Sequence, residues 1–254
     1  MILKRKIYKK LLEWKKECQG KKALLIEGAR RIGKSTICEE FGKNEYESYL
    51  LIDFAKKDKE VEMYFERYLN DLDTFFMLLQ THFGTKLTER NSLIIFDEVQ
   101  MFPQARAAIK YLVADGRYDY IEIGSLISIR ENVKNIVIPS EERHINMYPL
   151  DFEEFAIALE EDLLVEYIKK CFEKREPLER SMHNQAMLLF HQYMLVGGMP
   201  MPVVTFIESK KDFTEADREK RDILKLYRED IMKIDAKYRS KVLAIYDQIP
   251  GFLS

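Results

Sequence analysis

The stretch Gly28-Ala29-Arg30-Arg31-Ile32-Gly33-Lys34-Ser35-Thr36 decides the fold, because it satisfies the phosphate-loop pattern G-x-x-x-x-G-K-[ST] at every fixed position. Ahead of it, Ala23-Leu24-Leu25-Ile26-Glu27 is the short apolar run that a buried parallel strand needs, and behind it Ile37-Cys38-Glu39-Glu40-Phe41 continues as a helix. Gly28 and Gly33 let the backbone curl round an anion with its N–H groups turned inward. The helix that follows starts with unpaired N–H groups and a partial positive charge. The whole run, with Ala29, Arg30, Arg31, Ile32 and Thr36, is therefore expected to cradle phosphates. Lys34 adds a full charge that reaches the β- and γ-phosphates. Ser35 offers the hydroxyl expected on Mg²⁺, a hard cation that takes only one or two oxygen ligands from protein. A glycine turn that merely joins strand to helix is the competing reading, and four fixed residues in this context weigh against it.

Working outward, 254 residues can bury a substantial core and suggest one large α/β domain, alone or with a small appendage. The 41 basic and 43 acidic residues balance, so no global field marks nucleic acid or membrane as a partner. Cys18, Cys38 and Cys171 are widely spaced with no C-x-x-C pair, which argues against a disulfide framework or a zinc site. The start Met-Ile-Leu-Lys-Arg-Lys lacks the apolar core of a signal peptide, and no run approaches the roughly 18 apolar residues of a membrane span. A cytoplasmic protein is expected.

Before the loop, Lys6 to Cys18 reads as a helix with Ile7, Leu11, Trp14 and Cys18 on one stripe and lysines elsewhere, a solvated face rather than a DNA or lipid surface. After it, Tyr49 to Phe54 is a second strand, with Asp53 facing the site or capping the next segment. Apolar residues from Phe65 to Leu79 recur at threes and fours, which predicts one long helix over 61–83 whose aromatic stripe is core.

The third strand, Ser92-Leu93-Ile94-Ile95-Phe96-Asp97-Glu98, carries the second piece of chemistry. Its acidic carboxyl end belongs in the crevice beside the phosphate loop, where ligands sit in open α/β sheets. Asp97 is expected to hold Mg²⁺ through water and Glu98 to orient and polarise the attacking water, since phosphoryl transfer needs positioning, charge neutralisation and a base at the nucleophile. A helix over 104–113 follows. Tyr120 to Ser125 is a fourth strand, with Ser125 placed either to touch the γ-phosphate or to cap a helix. His144 to Tyr148 is a short fifth strand. From Asp151, a capping residue with Glu154 reaching back and Leu150 stapling Phe155, the chain reads as wholly helical. Gly197-Gly198-Met199-Pro200 breaks the helices, for which glycine and proline chemistry is a sufficient structural account.

Gly28–Thr36, Ile95-Phe-Asp-Glu-Val-Gln100, Gly124-Ser125, Tyr148-Pro-Leu-Asp-Phe-Glu-Glu-Phe155 and Val196-Gly-Gly-Met-Pro200 together resemble the AAA-superfamily ATPase module of archaeal and bacterial proteins that also carry a C-terminal domain of unknown function. The resemblance covers nearly all of the chain. It implies that Gly198 and Pro200 lie near the adenine and that Ser125 senses the nucleotide. Relatives of this kind usually continue past a segment like Ile249-Pro250 into winged-helix-like and nuclease-like parts, so residues 151–254 read as a helical lid and the start of a truncated C-terminal region. Arg143 is the first candidate for a charge reaching the γ-phosphate and Arg130 the second, with surface salt bridging as the plainer role for both.

The expected protein is thus an α/β P-loop ATPase with a five-stranded parallel sheet in residues 1–150 and a helical lid after it. It binds ATP and Mg²⁺ and couples hydrolysis to lid movement. A nucleotide-dependent interaction switch with negligible turnover is the rival. A small-molecule kinase is disfavoured by the lack of an arginine-rich lid, and GTP by the lack of an N-K-x-D motif. A homo-oligomer or protein partner fits, and a basic N-terminal helix is compatible with DNA.

Overall fold

The computed structural model describes residues 1–124, 141–232 and 234–252. The strands β1 (Ala23–Glu27), β2 (Ser48–Asp53), β3 (Ser92–Asp97), β4 (Asp119–Gly124) and β5 (Glu142–Asn146) make one sheet in the order β2-β3-β4-β1-β5. All four pairings are parallel. The inner strand β1, between β4 and β5, is apolar on both sides because both of its faces are covered; Ala23, Leu24, Leu25 and Ile26 are fully buried. The fifth strand lies slightly earlier than its apolar residues suggest, with Glu142 opposite Ala23 and Asn146 opposite Glu27.

On one face Ala23, Leu50, Ile52, Ile94, Phe96 and Tyr120 share a core with α3 (Lys59–Arg67), α4 (Leu72–Phe83) and α5 (Pro103–Asp115). Phe54, Phe65, Phe96 and Phe102 meet edge to face or stacked at 5.3–5.8 Å between centroids, the geometry that aromatic quadrupoles favour. The other face is covered by α2 (Lys34–Glu45), which packs on β2 and β3, and by α1 (Ile7–Cys18) packed on α2. There Phe41 lies between Trp14 and Tyr46. The buried indole of Trp14 donates to the Lys22 carbonyl at 3.0 Å, which fixes α1 to the start of β1.

The single helix expected over 61–83 is two. The Asp58 carboxylate caps α3 through Glu60 N and Val61 N, and Asp71 caps α4 through Thr74 N at 3.2 Å. The apolar stripe continues across the break, so periodicity alone did not reveal it; Phe65, Phe75, Phe76 and Leu79 are all core.

Lys4–Pro149 forms one compact unit, and Leu150–Ser254 with Met1–Leu3 forms a second. The second is helical: α6 (Phe152–Ala158), α7 (Asp162–Lys174), α8 (Arg180–Val196), α9 (Pro200–Glu208), α10 (Phe213–Met232) and α11 (Ala236–Phe252). Leu3, Leu150, Phe155, Leu189, Val196, Val203 and Phe206 lie in its core. Asp151 and Glu154 make a reciprocal capping box, with N···O distances of 2.8 and 3.2 Å. The helical run that opens at Phe152 is divided into α6 and α7 where Glu160 turns left-handed at φ 63°. Pro200 does more than end a helix: it opens α9 at the first helical position, where its missing N–H costs nothing. The three cysteines are free. Among the described residues no helix is long and apolar enough to cross a membrane.

Candidate functional site

The phosphate loop leaves the carboxyl end of β1 at Glu27. A Cβ on Gly28 would stand 2.4 Å from the Met147 carbonyl oxygen and 2.6 Å from Ile32 Cδ1, so only glycine allows the loop to pass this close to the chain leaving β5. Met147 N donates to Glu27 O at 2.8 Å and locks that approach. Arg31 (φ 66°) and Gly33 (φ 86°) turn the loop left-handed, and Gly33 is the residue from which α2 starts. No side chain caps α2, so its first N–H groups are offered to the loop interior. Ile32, fully buried, anchors the loop, while Ala29, Arg30, Arg31 and Thr36 are exposed. A residue that the sequence reading passed over also holds the loop: Arg5 donates to Ile32 O at 3.1 Å and to Tyr148 O at 2.6 Å. A lone arginine within a basic run gives no signal for that role.

Lys34 is buried at 8% exposure, and its ammonium donates to the loop's own carbonyls, Gly28 O at 2.9 Å and Ala29 O at 2.7 Å. Burial pushes its pKa below the usual lysine value, opposed first by Glu98 and then by Asp97. Both acids therefore act on the same ammonium. Burial raises the Asp97 carboxyl, opposed by hydrogen bonds from the Ser35 hydroxyl and from Glu98 N, the latter at 2.8 Å. Asp97 stands in register with Asp53, whose carboxylate caps the turn after β2 through Ala55 N at 3.0 Å. Lys34, Ser35, Asp97 and Glu98, separated by about 60 residues of sequence, are thus brought into one charge cluster at the carboxyl end of the sheet.

The strand that bears the acids is not the neighbour of the strand that bears the loop. β4 lies between them, pairing Gly124 with Glu27 on one side and Glu122 with Phe96 on the other. Ser125 follows β4 directly in sequence, but Ser125 and Arg130 lie outside the described residues. Arg143 is not brought to the loop. It sits opposite Leu24, three residues before the end of β5, and its guanidinium pairs with Glu17 at 2.6 Å. Gly198 and Pro200 belong to the helical unit. There the Gly198 carbonyl accepts from Leu150 N at 2.7 Å, and a Cβ on Gly198 would meet Leu150 O at 2.1 Å. That close crossing accounts for the glycine by packing.

The donors suit a hard divalent cation: the Ser35 hydroxyl and the Asp97 carboxylate lie close enough for the hydroxyl to hold the carboxyl pKa down, and both offer oxygen. Among the described residues no cluster of three or more His, Cys, Asp or Glu could cage a metal by itself.

A second polar group lies under the sheet, on the side of α5. Arg106 donates through Nη2 to Glu142 at 2.9 Å, and its Nε stands 3.9 Å from Glu122, which is fully buried in the middle of β4. His144 bridges Glu142 at 3.3 Å and Glu27 at 3.6 Å. Burial first, and then the Glu142 charge, raise the Glu122 pKa well above the carboxylate range, against the pull of Arg106. Nothing in the local sequence marks Glu122, since one acid in an apolar strand usually points to water.

A family model described as an AAA domain matches residues 20–156. No curated protein matches the chain. Among solved structures, the Aeropyrum pernix ORC1 protein in complex with DNA is similar at 10% identity and a TM-score of 0.37, over 77% of this chain and 68% of that one. C. elegans PCH-2 is similar at 10% identity and a TM-score of 0.39, over 84% of this chain and 64% of PCH-2, less than two thirds of its length.

Proposed function

Since the chain belongs to the AAA domain family, whose model spans the loop, the acidic strand and all five strands of the sheet, we propose that it binds ATP at Gly28–Thr36 and hydrolyses it to ADP and phosphate. The observation that carries this reading is the convergence of Lys34, Ser35, Asp97 and Glu98 at one end of the sheet, beside a loop whose backbone is shaped for an anion.

The loop N–H groups and the start of α2 hold the β- and γ-phosphates, and Lys34 transfers its hydrogen bonds from Gly28 O and Ala29 O to phosphate oxygens. Ser35, and Asp97 through water, would hold Mg²⁺, which when bound neutralises charge across the phosphate oxygens. Glu98 orients a water and takes its proton while the water oxygen bonds to the γ-phosphorus and the bond to the bridging oxygen breaks, leaving ADP. Ser125 as a γ-phosphate sensor belongs to the same proposal. So do the lid reading of residues 151–254, with Gly198 and Pro200 on the adenine side, and a homo-oligomer or protein partner. These rest on the sequence resemblance.

The test is Mg²⁺-dependent phosphate release from ATP by wild type, Glu98→Gln and Lys34→Ala, with nucleotide binding measured on the same samples. The reading requires Glu98→Gln to keep binding and lose turnover, and Lys34→Ala to lose binding. Tight ATP binding by wild type without phosphate release would replace hydrolysis by a nucleotide-dependent switch. Absence of binding would overturn both.

A further inference from the structure

Glu98 occupies a backbone conformation that side-chain-bearing residues rarely adopt, φ 49° and ψ 42°. The turn that results is tightly closed. Asp97 accepts from Glu98 N at 2.8 Å, and Glu98 O accepts from Met101 N at 2.8 Å, which starts a short 3₁₀ helix over Val99–Met101. Val99 is fully buried and Gln100 nearly so, and this short helix packs against α5 and β4. Residues two apart do not face each other on a helix. The left-handed residue followed by a 3₁₀ turn brings the two side chains together, and Gln100 Nε2 donates directly to Glu98 Oε2.

We infer that Gln100 is a positioning residue for the reaction: its buried amide holds the Glu98 carboxylate in one orientation, with one oxygen engaged and the other left to meet a water. The inference rests on the assignment of Glu98 as the base. The geometry explains why an amide is needed. Gln100 presents a donor that carries no charge, so it fixes the carboxylate without the competing ion pair that a lysine or arginine would form. It is carried by the same rigid turn as the base, so the two move together. The strained backbone at Glu98 is then what lets a buried donor reach the carboxylate from only two residues away.

The test compares wild type, Glu98→Gln, Gln100→Leu, Gln100→Glu and the double variant Glu98→Gln with Gln100→Leu, in single-turnover ATP hydrolysis that reads rates well below steady state. ATP affinity and thermal unfolding are measured on the same preparations. Gln100→Leu is expected to lower the hydrolysis rate about tenfold to a hundredfold, the loss of one charge-assisted hydrogen bond and of the orientation it gives, with ATP affinity unchanged. Gln100→Glu keeps the shape and removes the donor, and is expected to lose rate in the same way. The double variant should match Glu98→Gln alone, because the effect of Gln100 on the rate passes through that carboxylate. If Glu98→Gln loses turnover but Gln100→Leu does not, or if the two losses multiply in the double variant, the inference is overturned and the base assignment stands. If Glu98→Gln hydrolyses as fast as wild type, the base assignment falls and the inference with it.

Discussion

Glu122 offers a measurement whose sign is fixed by the structure. The side chain is fully buried beside Glu142, and its nearest cation, Arg106 at 3.9 Å, is already committed to Glu142 at 2.9 Å. Its pKa is raised well above the ordinary 4.5, by burial first and by the Glu142 charge second. A carboxyl raised in the folded state holds its proton there while the unfolded chain gives it up, so above pH 4.5 stability falls as pH rises, until the folded-state pKa is passed. The slope from one such group is about 1.4 kcal/mol per pH unit. Glu122→Gln, a neutral residue of the same shape, removes that slope. Its stability relative to wild type should therefore grow as pH rises above 4.5, by up to about 1.4 kcal/mol per pH unit for as long as the folded state keeps the proton. The assay is urea unfolding followed by the fluorescence of Trp14, the one tryptophan, 1% exposed in the α/β unit. A stability difference that stays flat with pH would mean that Glu122 is folded as a carboxylate sharing Arg106, and would refute the reasoning.

Two further outcomes follow from contacts already described. Arg106→Met should act in the opposite sense, leaving Glu142 buried without its cation and costing about 3–5 kcal/mol in the same urea assay; a loss below 1 kcal/mol would show that the pair contributes little. Gly28→Ala should cost about 1–3 kcal/mol and weaken binding of a fluorescent ATP analogue, because the 2.4 Å approach to the Met147 carbonyl is to backbone that cannot step aside; wild-type affinity in that titration would show that the loop has room to shift.

The parts of the fold that follow from local chemistry were legible in the sequence. The five strands, the loop at Gly28–Thr36, the acids at Asp97 and Glu98 and the capping box at Asp151 each leave a mark within a few residues, and the structure shows each as an element or cap near the expected place. What was not legible depends on partners far away in the chain. That β4 separates β1 from β3 is a matter of which edges pair, and no periodicity encodes it. Glu122 reads as an ordinary strand acid until β5 and α5 close over it. Arg143, a plausible cation by position, is drawn to Glu17 on α1, a residue 126 positions earlier. The break before Asp71 did have a signal, an acid able to cap the segment that follows, but the unbroken apolar stripe outweighed it.

Arg5 has a mechanical meaning beyond its two hydrogen bonds. The backbone leaves the α/β unit twice, at Leu3–Lys4 and at Pro149–Leu150, and within two residues of each departure stands one end of the same bracket: Arg5 itself at the first, the Tyr148 carbonyl at the second. The other tine of the guanidinium grips Ile32 in the middle of the phosphate loop. Tension on either connecting strand thus has a path of one side chain to the backbone that would cradle phosphate, and strain in that loop has the same short path out.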